Sequence, residues 1–464
     1  MSAADNHLSF DVRVWAIRRQ PGARRTTSIV RWVVRGQERQ RTFATIKMAE
    51  SFRATLLVAV REGQPFDVET GLPAERRAHG ADRTWFEHAL DYVRVKWPAA
   101  SPRHRKGIAE ALTAVTPVLV REGAQPPDGV DLRRALSDWA FNAPAQAQPV
   151  PEEHSGAIAW ITKQSLPLGA LEEPSVVRLA LGALSVKLDG RPAANATITR
   201  KRATFHNALE YGVELGAFDA NPLRRVRVRL PKTDDAIDRG VVVNPTQARA
   251  LLTAVRERNP ALEGFFACLY FAGLRPAEAR NLRRGDCTLP ESGWGEVVLT
   301  GSHQYSGAAW TDSGRADEER QLKHRSNRDL RRIPLHPELV EILHRHLRDF
   351  GTGADDRLFV TRTGKAGKPL PPPYLHPVSL TIIYTAWQRA RDAALTPEQA
   401  QSTLGRRPYD LRHAGLSTWL NAGVAPAQVA KWAGHSVEVL LKVYAKCIDG
   451  QEEAARRRIE DALE

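Results

Sequence analysis

Cysteine is scarce in this sequence, and the few cysteines form no recognisable pair. Cys268, Cys287 and Cys447 are odd in number, with neither a CxxC motif nor the spacing of a metal site. This usage argues against a disulfide framework and favours a reducing cytoplasm. The sequence also has no P-loop and no cluster of carboxylates, so nothing in it indicates a nucleotide or metal cofactor.

Long hydrophobic runs are missing as well. The longest apolar run, from Gly264 to Leu274, is too short to span a bilayer. The N-terminus lacks the apolar core of a signal peptide. We therefore expect a soluble, cytoplasmic protein with no membrane partner.

Acidic residues are outnumbered by basic ones, 53 against 67, which gives a net charge of +14 and a pI near 9.9. A basic surface attracts phosphates and releases their counterions, so a polyanionic partner is expected. The charge alone fits a ribosomal or RNA-binding role equally well. At 464 residues the chain is long enough for two or three domains, and we expect three.

The N-terminal block concentrates the positive charge. Residues 1–62 contain 12 Lys or Arg and 5 acidic residues, a net +7. From Val12 to Phe43, β-branched and aromatic residues predict three short antiparallel strands, followed by one helix. Pro65 to about Ala81 is expected to be a polar linker. The alternative is that this basic surface is merely solvated and has no specific partner.

A helical block follows, and two stretches in it carry clustered cations. Ser101-Pro102 predicts a helix start, with Arg103, Arg105 and Lys106 in its first turn. Because cations oppose the helix dipole there, a bound phosphate would relieve the conflict, although a solvated helix start is an equal alternative. A second helix, Thr197 to Leu215, begins with Arg200, Lys201 and Arg202. The stretch from Ala143 to Glu153 is low in complexity and is predicted to be a loop, and Leu223 to Val242 is predicted to be the interdomain linker.

The most informative stretch runs from Tyr409 to Tyr444. Arg412 lies at the entrance of a predicted helix, a second helix follows, and the Gly434-His435-Ser436 turn begins a third. In that third helix Val437, Leu440, Leu441 and Tyr444 recur at helical spacing, which predicts that the Tyr444 phenol faces inward. The arginine, histidine and tyrosine could therefore converge, since His435 follows Arg412 by 23 residues and Tyr444 follows His435 by nine.

This order and spacing resembles the tyrosine recombinase (phage integrase) family, whose signature is an HxxR box, a Gly-His turn and a nucleophilic Tyr nine residues after the His. One position departs from that pattern. The box reads Tyr409-Asp410-Leu411-Arg412, so Tyr409 occupies the position of the family's histidine. We interpret the neighbouring His413 as structural.

The resemblance extends to two further motifs. The segment AGLRPAEARNL resembles the family's first arginine motif, which implies that Arg275 binds the scissile phosphate and that Glu278 supports it. The segment QLKHRSNRDLRRIPL resembles the hairpin that carries a catalytic lysine. Lys323 is the only lysine between Lys232 and Lys365, so it is the one candidate for that role.

The chemistry of the family explains these residue types. Attack on a phosphodiester builds negative charge, which the two guanidinium groups of Arg275 and Arg412 can clamp through paired hydrogen bonds. Tyr444 must lose a proton and the leaving 5′ oxygen must gain one, work that His435 and Lys323 can share. Tyr409 can donate a hydrogen bond to the phosphate but is a poor base. The covalent phosphotyrosine retains the energy of the broken bond, so no cofactor is expected.

The resemblance implies a mainly α fold with small β-sheets and three domains. These are an arm-type DNA-binding domain (1–66) with a three-stranded sheet and a helix, a helical SAM-like core-binding domain (82–225), and a mixed α/β catalytic domain (240–464). The implied function is site-specific recombination through a 3′-phosphotyrosine, most plausibly integration of a phage or mobile element. The alternatives are a non-catalytic DNA-binding regulator and a type IB topoisomerase-like enzyme.

The implied partners are double-stranded DNA attachment sites, a homotetramer on that DNA, and an excisionase or DNA-bending helper. The C-terminal segment is relevant to the expected tetramer. From Gln451 to Glu464, Ala455, Ile459 and Leu463 form a narrow apolar stripe that cannot stabilise a lone helix. We expect this stripe to bind a neighbouring copy, with docking on its own subunit as the alternative.

Overall fold

The structure is a computed structural model that describes residues 7–21, 27–43, 46–73, 83–227, 236–321, 330–364, 367–444, 447 and 452–463. The chain divides into two compact units, Met1–Thr233 and Asp234–Glu464. Helices predominate in both, with short antiparallel strands, which agrees with the predicted mainly α class. The finer division into three domains stays a prediction.

The first unit begins with a sheet backed by a helix. Its strands are β1 (Leu8–Ser9), β2 (Val12–Val14), β3 (Arg18–Gln20), β4 (Thr27–Val34), β5 (Gln37–Phe43) and β6 (Phe66–Asp67). Strand β4 pairs with β2 and β3 in succession and with β5 along its length, so the predicted antiparallel strands are present. Helix α1 (Ile46–Arg61) buries Phe52 and Leu56 in the same core as Val30 and Trp32.

The predicted linker after Pro65 is partly wrong. Phe66 and Leu72 are buried in the core of the sheet, and β6 pairs with β1 at the start of the described chain. The described part of this stretch therefore belongs to the N-terminal fold up to Pro73, because its apolar residues complete that core. Arg41 Nη2 also donates to the carbonyl of Phe218 at 2.8 Å, which joins the sheet to the helical block of the same unit.

The rest of the first unit is helical. Its helices are α2 (Trp85–Lys96), α3 (Pro102–Val115), α4 (Gly129–Arg134), α5 (Ala143–Gln146), α6 (Glu152–Gln164), α7 (Pro174–Leu184) and α8 (Asn195–Glu214). Ser101 caps α3, as the sequence predicted. The predicted loop from Ala143 to Glu153 is partly wrong, because Asn142 caps the short helix α5 at its start and α6 begins at Glu152, which leaves only the residues between these helices as a loop. Of the predicted linker from Leu223 to Val242, residues 228–235 lie outside the described chain.

The second unit is built around a nearly fully buried helix. The helices before its sheet are α9 (Pro245–Arg258), α10 (Pro260–Phe271) and α11 (Pro276–Ala279). Asn244 and Gln247 form a capping box at the start of α9. Helix α10 buries its residues from Leu262 to Phe271 because the apolar faces of several neighbouring elements pack around it.

A small sheet and an extra hairpin follow. The strands are β7 (Cys287–Thr288), β8 (Gly295–Leu299), β9 (Gly301–Tyr305), β10 (Asp317–Gln321) and β11 (Arg331–Leu335). Strand β8 lies between β7 and β11, while β9 pairs with β10. The polar segment from Ser302 to Glu319 therefore forms most of a second hairpin.

The last helices carry most of the candidate site. They are α12 (Pro337–Phe350), α13 (Leu380–Ala394), α14 (Pro397–Gln401), α15 (Asp410–Asn421), α16 (Pro426–Ala433), α17 (Val437–Tyr444) and α18 (Glu452–Leu463). In α18 the side chains of Ile459 and Leu463, two residues of the expected apolar stripe, are exposed. None of the helices formed by the described residues combines the length and apolarity needed to cross a membrane.

Candidate active site

The junction between α10 and α11 places Arg275. Helix α10 ends at Phe271, Gly273 adopts a left-handed conformation with φ +58, and Pro276 begins α11. The amide of Arg275 donates to Glu278 Oε2 at 2.8 Å, and its Nη1 donates to Glu278 Oε1 at 2.7 Å. Its Nη2 donates to the carbonyl of Gly434 at 2.9 Å. Arg275 is thus fixed at both ends while its side chain stays about one-third exposed (32%).

Glu278 is buried, and a second arginine holds it. Arg331 Nη1 and Nη2 donate to the two carboxylate oxygens at 2.9 and 2.6 Å in a bidentate pair. Burial opposes the charge of Glu278, but Arg331 and Arg275 outweigh that effect and lower its pKa to about 2. Glu278 is therefore ionised at neutral pH and orients both guanidinium groups.

Sequence reasoning missed Arg331, although its strand gave a signal. In β11, Arg331, Ile333 and Leu335 alternate inward, so an arginine occupies an apolar face. A buried arginine needs an acidic or carbonyl partner, which here is Glu278.

Arg412 is fully buried at the start of α15, with 0% exposure. Its Nη1 donates to the carbonyl of Gly273, and its Nη2 donates to the carbonyl of Ala433 at 2.6 Å and contacts His435 Nε2 at 3.1 Å. Gly415 makes this possible because its helix crosses α10 so closely that a Cβ there would lie 2.0 Å from the carbonyl oxygen of Tyr270. Arg412 therefore joins α10, α16 and the Gly434-His435 turn.

The Gly434-His435 turn closes the site. Gly434 ends α16 in a left-handed conformation with φ +66, and a Cβ there would lie 2.5 Å from Arg331 Nη1 and 3.3 Å from Arg275 Nη1. Burial, together with Arg412, Arg275 and Arg331, lowers the pKa of His435 to about 3. The imidazole is consequently neutral at pH 7. Within the described chain, the buried His435 Nδ1 and Arg412 Nε have no hydrogen-bond partner.

Tyr444 lies at the end of α17 and is fully buried, as its helical spacing predicted. Only part of the predicted stripe is correct, because Leu440 is buried but Val437 and Leu441 are 42% and 40% exposed. Helix α17 packs one narrow face against α16, so residues to either side of that face remain in solvent. Burial raises the pKa of the Tyr444 phenol, while the charges of Arg412 and Arg275 lower it.

His413, interpreted from sequence as structural, contacts the candidate nucleophile directly. Its Nδ1 lies 3.0 Å from the Tyr444 hydroxyl oxygen, and the two ring centroids are 5.7 Å apart. The sequence signal for this contact was that His413 directly follows Arg412. The structure therefore places His413 in contact with Tyr444, which the sequence interpretation did not predict.

Tyr409, which replaces the family's histidine, also lies in the site. Its ring meets His413 edge to face, with centroids 4.8 Å apart, and its hydroxyl is close enough to Arg275 for the two groups to interact electrostatically. Tyr409 is therefore near both the candidate phosphate clamp and the candidate nucleophile. The predicted Lys323 lies outside the described residues, which end at Gln321 and resume at Leu330.

The DNA-binding candidates of the first unit differ in exposure. Arg103 and Lys106 are exposed on the first turn of α3. Arg200 on α8 pairs with Glu110 of α3 at 3.1 Å, so the two basic stretches lie on neighbouring helices. Lys201 and Arg202 are partly buried, and burial lowers the pKa of Lys201.

Arg105 does not fit the expectation of a DNA contact. It is only 3% exposed, its guanidinium lies 4.7 Å from the Trp97 ring centre, and its Nε donates to the Trp97 carbonyl at 3.0 Å. A flat cation stacks well on an aromatic face, so this side chain folds back onto the preceding helix instead of reaching solvent.

The arrangement in the second unit can hold an anion and activate a phenol. The described charges acting on His435 are three arginines and one carboxylate, an excess of positive charge. Such an excess stabilises negative charge that develops on a phosphate. No three His, Cys, Asp or Glu side chains in the described ranges are grouped as a metal ion would require.

Comparison with solved structures finds integrases and site-specific recombinases, the kinds of protein that the sequence motifs resemble. The Tn1549 transposon integrase in complex with a circular intermediate DNA has 16% identity and a TM-score of 0.46, covering 68% of this chain and 96% of that one. The XerH site-specific recombinase bound to its difH substrate has 13% identity and a TM-score of 0.39, covering 77% and 94%.

A lambda integrase dimer bound to a COC′ core site has 11% identity and a TM-score of 0.44, with 97% of each chain covered. No profile of a known protein family and no curated protein matches the chain. With TM-scores of 0.46 or less among these three structures, these likenesses do not by themselves assign an activity to this chain.

Proposed function

We propose that this protein is a tyrosine-type site-specific DNA recombinase that integrates a phage or another mobile element. The observation that carries the proposal is the convergence of Arg275, Arg412, His435 and Tyr444. Arg412 contacts the carbonyl of Gly273 and the ring of His435, Arg275 contacts the carbonyl of Gly434, and the charges of both arginines reach Tyr444.

In the proposed reaction the Tyr444 oxygen attacks a phosphorus atom of one DNA strand. Its proton passes to a base, the bond from phosphorus to the 5′ oxygen breaks, the 5′ oxygen takes up a proton, and a 3′-phosphotyrosine forms. Arg275 and Arg412 hold the non-bridging oxygens, because guanidinium groups bind a phosphate through paired hydrogen bonds. A 5′ hydroxyl of a second DNA end then attacks the phosphotyrosine, so strand joining needs neither ATP nor a metal ion.

The roles of the remaining residues belong to the same proposal. Glu278 orients Arg275, Lys323 gives a proton to the leaving oxygen, and Tyr409 donates a hydrogen bond to the phosphate. The cations Arg103, Lys106 and Arg200 to Arg202 bind the DNA backbone outside the reaction centre. The basic sheet at the N-terminus binds arm-type sites on the DNA.

Assembly into a tetramer on two DNA sites is also part of the proposal. Ile459 and Leu463 are 59% and 83% exposed, which favours a tail that binds a neighbouring copy over one that docks on its own subunit. An excisionase or a DNA-bending helper would set the direction of the reaction.

The test is covalent trapping on a nicked suicide substrate, from which the 5′-hydroxyl fragment diffuses away. We expect the wild-type protein to form a covalent adduct and Tyr444→Phe to form none while still binding the DNA. Without the phenol oxygen there is no nucleophile.

Tyr409→Phe is the matched control, because it removes the other phenol of the site and keeps its ring. It should still form the adduct, and mass spectrometry should locate the phosphate on Tyr444. Trapping of Tyr444→Phe would place the nucleophile elsewhere. A wild-type protein that binds DNA but never forms an adduct would favour a non-catalytic DNA-binding regulator.

A further inference from the structure

The hydroxyl of Tyr444 is hydrogen-bonded to an imidazole. His413 Nδ1 lies 3.0 Å from the Tyr444 oxygen, within the reach expected for a proton acceptor and the group that it deprotonates. For the hydroxyl to donate, Nδ1 must be unprotonated and Nε2 must carry the ring hydrogen.

The ring of His413 lies against that of Tyr409. Tyr409 immediately precedes α15, four residues before His413, and the two rings meet edge to face with centroids 4.8 Å apart. Arg275 is close enough for its charge to act on the Tyr409 hydroxyl. A row of neighbouring groups therefore runs from the candidate phosphate clamp through Tyr409 and His413 to Tyr444.

We propose that His413 is the general base that takes the proton of Tyr444 during strand cleavage, and that Tyr409 positions its ring. This inference rests on the proposed recombinase function. The Tyr444 O–H bond breaks and the proton moves to His413 Nδ1, which makes an imidazolium ion. The oxygen forms its bond to phosphorus, the bond to the 5′ oxygen breaks, and the leaving oxygen takes a proton from Lys323.

Tyr409 cannot perform this step itself. A phenol keeps its proton at neutral pH and offers a poor acceptor, although Tyr409 occupies the position where the resembling family has a histidine. His413 supplies an imidazole one helical turn further on. In this proposal His413 replaces the family's histidine as the proton acceptor, four residues later in the sequence.

The charges around His413 suit a base that is free before DNA arrives. Burial, together with the charges of Arg412 in the same helix and of Arg407 just before that helix, lowers the pKa of His413 to about 3, so its ring is neutral and able to accept a proton. Tyr409 and Tyr444 are the titratable groups in ring contact with it. A phosphate held by Arg412 would offset that positive charge and so raise the proton affinity of His413 during the reaction.

The experiment measures the rate of covalent adduct formation on the suicide substrate by His413→Ala and His413→Gln, each with tyrosine or 3,5-difluorotyrosine at position 444. The second variant fills the space of the ring without supplying a base. With ordinary tyrosine we expect both variants to bind DNA normally and to react roughly 100-fold more slowly or worse. Difluorotyrosine, a more acidic phenol, should restore at least about one-tenth of the wild-type rate because it needs less help to lose its proton.

A second substrate separates the base from the acid. A 5′-bridging phosphorothiolate has a thiolate leaving group that needs no proton, so it should rescue a defect in the acid but leave the His413 variants slow. The inference is overturned if either His413 variant reacts at the wild-type rate or if difluorotyrosine does not speed up the His413 variants. It is also overturned if the phosphorothiolate substrate restores their rate. If the wild-type protein itself forms no adduct, the proposed function fails, and that outcome is separate from these.

Discussion

The second unit contains two clusters of arginines. Both include arginines from residues 275–283, but they differ in how their charges are paired. The site cluster consists of Arg275, Arg331 and Arg412 with Glu278 and His435. The hairpin cluster consists of Arg280, Arg283 and Arg357 with Asp317, Glu319 and Asp355. In the hairpin cluster each arginine has a carboxylate of its own. In the site cluster Glu278 serves two arginines, while backbone carbonyls hold the third.

The difference teaches how to tell a binding site from a structural network. A network whose charges are paired is complete without a ligand, and it ties the β9–β10 hairpin to the domain. A network with surplus cations is held in place by the fold but not neutralised by it. Because buried charge without a partner is unfavourable, that surplus is relieved only by an anion from outside. The site cluster is therefore the one that we assign to phosphate.

The largest effect is expected when the single carboxylate of the site cluster is neutralised. Glu278→Gln leaves the buried guanidinium of Arg331 and the partly exposed guanidinium of Arg275 without a counter-ion, which should lower the free energy of unfolding by about 3–5 kcal/mol. The rate of adduct formation should fall roughly 100-fold, because Arg275 and Arg331 lose their orientation. Urea unfolding and the suicide-substrate assay measure the two effects.

Asp317→Asn is the matched control in the hairpin cluster. Asp317 pairs with the buried Arg280, which also donates to the carbonyls of Val378 and His303, and an asparagine oxygen can still accept from it, so this change should lower the free energy of unfolding by about 1–3 kcal/mol. Adduct formation should keep its wild-type rate. If the two variants lose activity equally, charge balance does not distinguish the site from the network.

The sequence predicted those parts of the fold and of the site that depend on local chemistry. The cap at Ser101 and the helix starts near Arg412 and after the Gly434-His435 turn follow from residue types a few positions apart. The spacing from Arg412 to Tyr444 predicted a convergence of side chains, and the resemblance gave it a chemical meaning.

The contacts that cross from one element to another were not predictable in the same way. The pair between Arg331 and Glu278 joins residues 53 positions apart, and the contact between His413 and Tyr444 joins residues 31 positions apart. Arg105 shows the converse, because its place at a helix start suggested a free cation, whereas Trp97 of the preceding helix covers it. Such outcomes depend on packing between elements, which residue periodicity does not encode.

A smaller effect is expected when alanine replaces either of two glycines that share a left-handed backbone conformation. Gly434 in the site cluster and Gly314 near the β9–β10 hairpin have φ values of +66 and +68. Alanine at either position should cost roughly 1–2 kcal/mol of stability because a Cβ disfavours the left-handed region. Only at position 434 would that Cβ meet guanidinium groups, since nothing lies within 4 Å at Gly314.

Gly434→Ala should therefore slow adduct formation roughly 10- to 100-fold, because it displaces Arg331 and Arg275. Gly314→Ala should lose similar stability and no activity. Thermal unfolding and the suicide-substrate assay, run in parallel, separate the two contributions. A Gly434→Ala protein with full activity would show that the turn does not position the arginines.

The smallest expected effect comes from one histidine in or beside each cluster, because the pKa of each differs between the folded and the unfolded protein. Burial and nearby arginines lower the pKa of His435 to about 3 and that of His303, beside the hairpin cluster, to about 4. Both rings are neutral in the folded protein but titrate near 6.5 when it unfolds. Their contribution to stability is therefore present above pH 6.5 and is lost as the pH falls towards 4 and below, so the free protein should melt at a lower temperature at pH 5 than at pH 7.

DNA should affect only one of these two histidines. A phosphate bound by Arg275 and Arg412 neutralises charges that hold the pKa of His435 down, so that pKa should rise by about 1 or more when Tyr444→Phe protein binds its site. His303 faces Arg280 and Arg357, which are already paired with carboxylates of the protein. The pKa of His303 should therefore stay unchanged when DNA binds. Hydrogen exchange at the C2 position of each imidazole, followed by mass spectrometry across pH with and without DNA, gives both values. An equal rise at His303 would mean that DNA also reaches the hairpin cluster, and no rise at His435 would place the phosphate outside the site cluster.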